Sequence, residues 1–211
     1  MFWTIFITVP PLLVAVILHE IAHGLVAEQL GDPTARDAKR ITLNPIRHID
    51  PFLTIILPAV LILSGSGIVF GGAKPVPVNP LYFKNPRKGM LWVALAGPVT
   101  NFILALICYL ALITVSAIEV KSWLWLVPYT IVVSWFAYGV LINLILGLFN
   151  LLPVPPLDGG RIAVGLLPES LAYKYARLER YGFLIVVALI YFGIPQMLLK
   201  PVIDYVVQFL A

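Results

Sequence analysis

The sequence predicts an all-α integral membrane protein. Three observations carry this reading. Of the 211 residues, 61% are hydrophobic, and the mean hydropathy is +0.99. Only 11% are charged. Several apolar runs are long enough to cross a bilayer, whose hydrocarbon core takes about 20 helical residues. We expect about four full spans, a re-entrant segment and a short extended hairpin, all in one polytopic domain over 1–211; five to six spans is the alternative arrangement.

The N-terminal run lacks a positive leader and a small-residue cleavage pattern, so it reads as a retained span rather than a signal peptide. It extends from Phe2 to about Gln29 and stops at the turn signal Gly31-Asp32-Pro33. A polar loop follows to Asp50. Residues 52–70 are apolar but carry Pro58 and the break Ser64-Gly65-Ser66-Gly67. Residues 71–89 contain GGAKPVPVNP, whose alternating prolines favour extended backbone. Spans are expected at Met90–Ile118 and from Trp125 to about Leu152. The helix then breaks at NLLPVPPLDGGR. Residues 161–180 are mixed, and weaker apolar segments run to the end. A catalytic core over about 1–165 and C-terminal helices over 166–211 divide the chain.

Charge orders the loops. Four Lys or Arg fall in 31–50, four in 71–89 and four in 153–180, against one in 119–124. The positive-inside rule places the three basic loops on the cytoplasmic side, provided that 52–70 dips in and returns. The first helix then runs inward. The net charge of +4 is scattered rather than striped, so nucleic acid is not an expected partner. Cys108 is the single cysteine and lies in an apolar run, which excludes an intrachain disulfide.

Within the first span stands VILHEIAHGL. Three titratable groups in hydrocarbon are costly unless something compensates. His19 and His23 are i and i+4, on one helix face. Both imidazoles can reach one metal ion, and Glu20 stands beside them to take a proton from a water. A catalytic zinc site takes three protein ligands. The candidates for the third are Asp158, Asp204, Glu119 and His48. Asp158 follows three prolines and precedes two glycines, which puts it on irregular backbone. Such backbone is tolerated at membrane depth only where it is covered or lines a cavity. Alone, that pattern equally suits a helix cap at the membrane surface.

HEIAH, GGAKPVPVNP, GPVTN and NLLPVPPLDGGR together resemble the site-2 protease family of intramembrane zinc metalloproteases (peptidase M50 type). The likeness covers about 10–165, in a compact form without PDZ or CBS domains. It implies three core spans, one catalytic Zn²⁺ near the cytoplasmic face, His19, His23 and Asp158 as ligands, and Glu20 as the base. It also implies Asn150 as a polar group of the site. Substrate or oxyanion contacts are expected at Asn150 and Asn101. The alternative role for Asn101, and the expected role for Asn143, is tying helices together. His48 suits a loop-ordering hydrogen bond. Tyr173, Tyr175 and Tyr181, beside Lys174, Arg177 and Arg180, read as an interfacial anchor.

The implied activity is hydrolysis of peptide bonds within or near transmembrane segments, in a prokaryotic cell membrane. The implied substrate is a transmembrane protein entering sideways from lipid and unwinding locally. GGAKPVPVNP is expected to hold the unwound segment by strand addition. A membrane zinc-binding or transport protein without proteolysis is the rival class, and another membrane zincin a second rival.

Overall fold

The computed structural model describes residues 2–63 and 71–210. The break expected at Ser64–Gly67 lies outside the described residues.

The N-terminal apolar run forms α1 (Phe2–Gln29), with Pro10 and Pro11 inside it. Gly31 follows in the left-handed region (φ 105), and α2 is one turn (Thr34–Asp37). Asp32 is fully buried at this corner and accepts from the backbone N–H of Thr34 and Asn79. It thereby fixes the far end of the 71–79 segment. A 3₁₀ turn (Pro45–His48), a π-helical turn (Pro51–Ile56) and α3 (Leu57–Leu63) come next.

The ends of the 53–72 segment meet. Gly72 N–H donates to the Leu53 carbonyl at 3.1 Å, and Thr54 Oγ1 donates to the Gly72 carbonyl at 2.6 Å. Residues 71–79 continue as extended backbone, but no strand is formed among the described residues. The expected short hairpin is not shown among the described residues. Pro75 and Pro77 lack the N–H a ladder needs, and the remaining donors go elsewhere. Lys74 N–H donates to the His48 carbonyl at 2.8 Å, and Asn79 N–H goes to Asp32.

The next helix, α4 (Pro86–Ser116), starts four residues before the expected Met90. Asn85 caps it by accepting from Lys88 N–H, and Pro86 takes the first helical position, where its missing N–H costs nothing. Ser122 caps α5 (Trp123–Asn150). The helices α1, α4 and α5 have 28, 31 and 28 residues, which at 1.5 Å per residue is about 42–46 Å, more than the bilayer's hydrocarbon thickness of about 30 Å. Their ends therefore reach both interfaces. These are the only helices of the described residues long and apolar enough to span alone.

After α5 come α6 (Asp158–Leu166), α7 (Glu169–Ala176), a 3₁₀ turn (Arg177–Tyr181), α8 (Gly182–Tyr191) and α9 (Ile194–Leu210). The pair 169–191 and 194–208, bent by 60°, makes a fourth span if counted as one. Three to four spans thus agree with the expected four and not with five or six.

The three long helices form one bundle. Small residues let them approach: Gly139 on α5 faces Cys108 on α4, and Gly147 faces Phe102. Trp135 on α5 donates to the Phe6 carbonyl of α1 at 3.0 Å. Arg87, at the start of α4, donates from Nε to the Gly165 carbonyl at 3.2 Å and from Nη2 to the Leu167 carbonyl, which locks the end of α6 against α4. The C-terminal end of α1, the N-terminal end of α4 and the C-terminal end of α5 lie together. All three basic loops are consequently at one end of the bundle, and 119–124 at the other. Arg177 stacks over Tyr173 at 4.6 Å and Arg180 over Tyr181 at 4.7 Å, in the segment read as an anchor.

Candidate metal centre

His19 stands ten residues before the end of α1, about 15 Å along the axis at 1.5 Å per residue. That position lies towards the end of the bundle carrying the basic loops. His19, His23 and Asp158 are all buried there. His19 Nε2 and His23 Nε2 are 3.0 Å apart, and Asp158 Oδ2 is 3.1 Å from the first and 3.3 Å from the second. The two histidines come from α1 and the carboxylate from the first residue of α6. The sequence separation of more than 130 residues is closed by α4 and α5, which carry the chain out and back.

Two glycines allow Asp158 to sit where it does. A Cβ on Gly160 would lie 2.5 Å from Pro155 N, and one on Gly159 would collide with the Leu151 and Leu152 carbonyls. The first turn of α6 therefore lies directly on the preceding proline loop, which contains a cis peptide at Pro155-Pro156. On the opposite side, α4 presses Gly97 onto the rings. A Cβ at Gly97 would fall 2.6 Å from Nε2 of both His19 and His23. Pro98 follows and withholds the N–H that would close on Ala94, one residue from the carbonyl that His23 uses.

The tautomers follow from the partners. His23 Nδ1 meets the Val93 carbonyl at 2.6 Å, so Nδ1 carries the proton and donates. His19 Nδ1 meets Asn101 Oδ1 at 2.6 Å. Asn101 Nδ2 donates to Asn143 Oδ1 at 2.9 Å and to the Ala15 carbonyl at 3.4 Å, leaving Oδ1 as the acceptor. Asn143 Nδ2 closes the chain on the Gly139 carbonyl at 2.9 Å. Both imidazoles thus turn an Nε2 lone pair toward Asp158 Oδ2, a buried oxygen with no hydrogen-bond partner. Three acceptors held together in a low dielectric repel one another unless a cation lies among them.

The donor set fits zinc. Ligand atoms about 2.0–2.2 Å from a tetrahedral ion stand about 3.3 Å from each other, close to the separations here. His and carboxylate are zinc ligands, and a second partner on each imidazole is the usual outer support. His19, His23 and Asp158 form the only such group among the described residues.

Glu20 is half-buried, next in sequence to His19 and one turn from His23. Its Oε2 accepts from the backbone N–H of Val76 at 2.8 Å. Because Pro75 and Pro77 have no N–H, Val76 supplies the one backbone donor of that tripeptide.

The other sequence candidates are placed as follows. His48 Nε2 donates to the Thr42 carbonyl at 2.8 Å, as a loop-ordering bond, and is not in the cluster. Glu119 is exposed and pairs with Lys121 at 3.5 Å, and Asp204 is exposed on α9. Asn150 Nδ2 donates to the Leu146 carbonyl of its own helix at 3.0 Å. Asn101 has no exposed surface, and its amide is engaged on both sides. It backs His19 rather than facing an open site. Sequence reasoning missed Val76 and Val93. The flanking prolines were the available signal for Val76; Val93 contributes only a carbonyl and leaves none.

The comparisons with known proteins agree with this centre. The family "Peptidase family M50" matches residues 7–130 and 126–193. "Putative zinc metalloprotease YwhC" of Bacillus subtilis is 40% identical over 194 residues, covering 92% of this chain and 84% of that protein. "Putative zinc metalloprotease Rip2" of Mycolicibacterium smegmatis is 32% identical over 179 residues, 84% of this chain and 64% of that protein. "Zinc metalloprotease MJ0392" of Methanocaldococcus jannaschii is 26% identical over 172 residues, 82% of this chain and 37% of that protein. No solved structure matches the chain. A family match across most of the sequence, with relatives of this identity and coverage, shows that the chain belongs to peptidase family M50.

Proposed function

We propose that this protein is an intramembrane zinc metalloprotease that cleaves membrane-protein substrates within or near their transmembrane segments. The observation that carries the reading is the convergence of His19, His23 and Asp158 at membrane depth, with Glu20 held alongside. His19, His23 and Asp158 would hold the zinc ion, which when bound would supply Lewis acidity and lower the pKa of water toward 7. Glu20 takes a proton from the attacking water and returns it to the leaving nitrogen. The Val76 N–H keeps its carboxylate oriented. Asn101 and Asn143 hold the His19 ring in its metal-facing tautomer, and Val93 does the same for His23.

A substrate helix hides its carbonyls in i to i−4 bonds, so hydrolysis requires local unwinding. The extended 71–79 segment lies against Glu20 and suits an unwound peptide as a neighbour. Entry from the lipid side, a prokaryotic cell membrane and a cytoplasm-facing site fit the basic loops at one end of the bundle. A zinc-binding or transport protein has no use for an oriented Glu20, which disfavours that rival.

The test combines zinc quantification with cleavage of a panel of single-span proteins. Glu20→Gln is expected to keep its zinc and lose at least about a hundredfold in turnover, the scale of a general base. Asp158→Ala is expected to lose both zinc and activity. Undiminished cleavage by Glu20→Gln overturns the mechanism, and full zinc retention by Asp158→Ala overturns the ligand set.

A further inference from the structure

The extended segment and the loop after α2 enclose a second cavity, of about 470 Å³, outside the metal centre. Arg40, Arg47 and Lys74 line it together with Ile46, Ile49 and Pro75, and no carboxylate lines it. Arg40 is 7% exposed, yet among the described residues no acid pairs with it. Its Nη2 donates to the Lys74 carbonyl at 2.7 Å, while its Nε is buried with no hydrogen-bond partner. A buried guanidinium lacking a counter-charge is costly, and a phosphate is a matching acceptor for its fork of donors. Beside these cations the same loop exposes large apolar side chains: Leu43 is 70% exposed and Ile46 73%. Cations in a recess with exposed aliphatic groups at its rim suit a ligand that is anionic at one end and apolar at the other. The cavity also lies at the end of the bundle that carries the three basic loops.

We propose that this cavity binds the phosphate headgroup of an anionic phospholipid, with its acyl chains running past Ile46 and Ile49. Arg40 and Lys74 face the phosphate, and Arg47 closes the site from the exposed side. The site is independent of the proteolytic reading. It adjoins the centre nonetheless, because Arg40 holds Lys74, two residues from the N–H that orients Glu20.

The test is native mass spectrometry of the full-length protein in detergent, offered equal amounts of phosphatidylglycerol and phosphatidylcholine. Wild type is expected to retain phosphatidylglycerol preferentially. The double variant Arg47→Gln/Lys74→Gln is expected to lose that preference about tenfold or more, the scale that two interfacial charges contribute. Lys84→Gln/Lys88→Gln, which removes equal charge from the same end of the bundle, is expected to keep it. Zinc content serves as the fold check for each variant, and Arg47→Gln alone replaces the first double variant if that does not fold. Equal retention of the two lipids, an unchanged preference in the cavity variant, or equal loss in the control variant overturns the proposal. Displacement of the lipid by inorganic phosphate reassigns the site to a free anion, and displacement by an acidic single-span peptide reassigns it to substrate; either overturns the lipid assignment.

Discussion

The backbone N–H of Val76 donates to Glu20 Oε2 at 2.8 Å, so the extended 71–79 segment fixes the acid beside His19 and His23. The bond involves a main-chain atom, which makes the side chain at position 76 nearly irrelevant to it. Val76→Ala should therefore retain most activity. Val76→Pro removes the donor while keeping extended backbone, and should lower turnover about tenfold to a hundredfold, the range for a lost charge-assisted bond of about 1.5–3 kcal/mol. Zinc content should be unchanged in both. Matching turnover in the two variants would show that Val76 does not orient the base.

Gly97 is where α4 touches the ligand rings. The added Cβ of Gly97→Ala would fall 2.6 Å from both Nε2 atoms, and the crowding atoms are imidazole groups already fixed by their Nδ1 bonds. Zinc should be lost from a protein that still inserts and remains helical. Atomic absorption together with circular dichroism in detergent checks this, and normal zinc content in Gly97→Ala would show that the helices separate at little cost.

Asn101→Leu keeps the branching and heavy-atom count of the side chain and removes the acceptor for His19. Outer-shell partners of metal-bound histidines are typically worth about 10–100-fold in affinity. A zinc-chelator competition should show a loss of that size, smaller than that of Asp158→Ala. The same variant strands Asn143 Oδ1, so a fall in thermal stability should accompany it.

Substrate choice should follow helix stability. Gly weakens a helix by about 1 kcal/mol relative to Ala, and Pro by about 3. A single-span substrate carrying an Asn-Pro or Gly pair at the depth of His19 should be cut faster than its all-leucine counterpart. Mass spectrometry of the fragments should place the cut within the membrane segment. Rates indifferent to these residues would mean that unwinding does not select the substrate.

Much of this was legible in the sequence because hydrocarbon is a strict solvent. The spans followed from apolar length, and α1 begins and ends where expected. His19, Glu20 and His23 announced themselves as titratable groups at helical spacing where none is cheap. Asp158 was less legible, since a carboxylate before two glycines is equally a turn; it was a candidate on its residues, but its choice over the other candidates rested on resemblance. The Asn101 amide was visible as a polar group in a span, but its partner depends on the rotation of α4 against α1, which no local pattern encodes. The start of α4 was misplaced because hydropathy outweighed the Asn85-Pro86 cap.

The line of contacts from His19 through Asn101 to Asn143 also bears on how the protein is made. Helices enter a bilayer as separate units before they pack. At that stage α1 carries its two imidazoles, α4 carries Asn101 and α5 carries Asn143, with only their own backbone or lipid to face. Each group finds its partner only when the three helices dock, and the Gly97 notch admits the rings only in that register. Biogenesis of the membrane bundle and construction of its reactive centre are therefore one event: a nascent chain whose helices have inserted but not docked has no centre to misfire in the membrane.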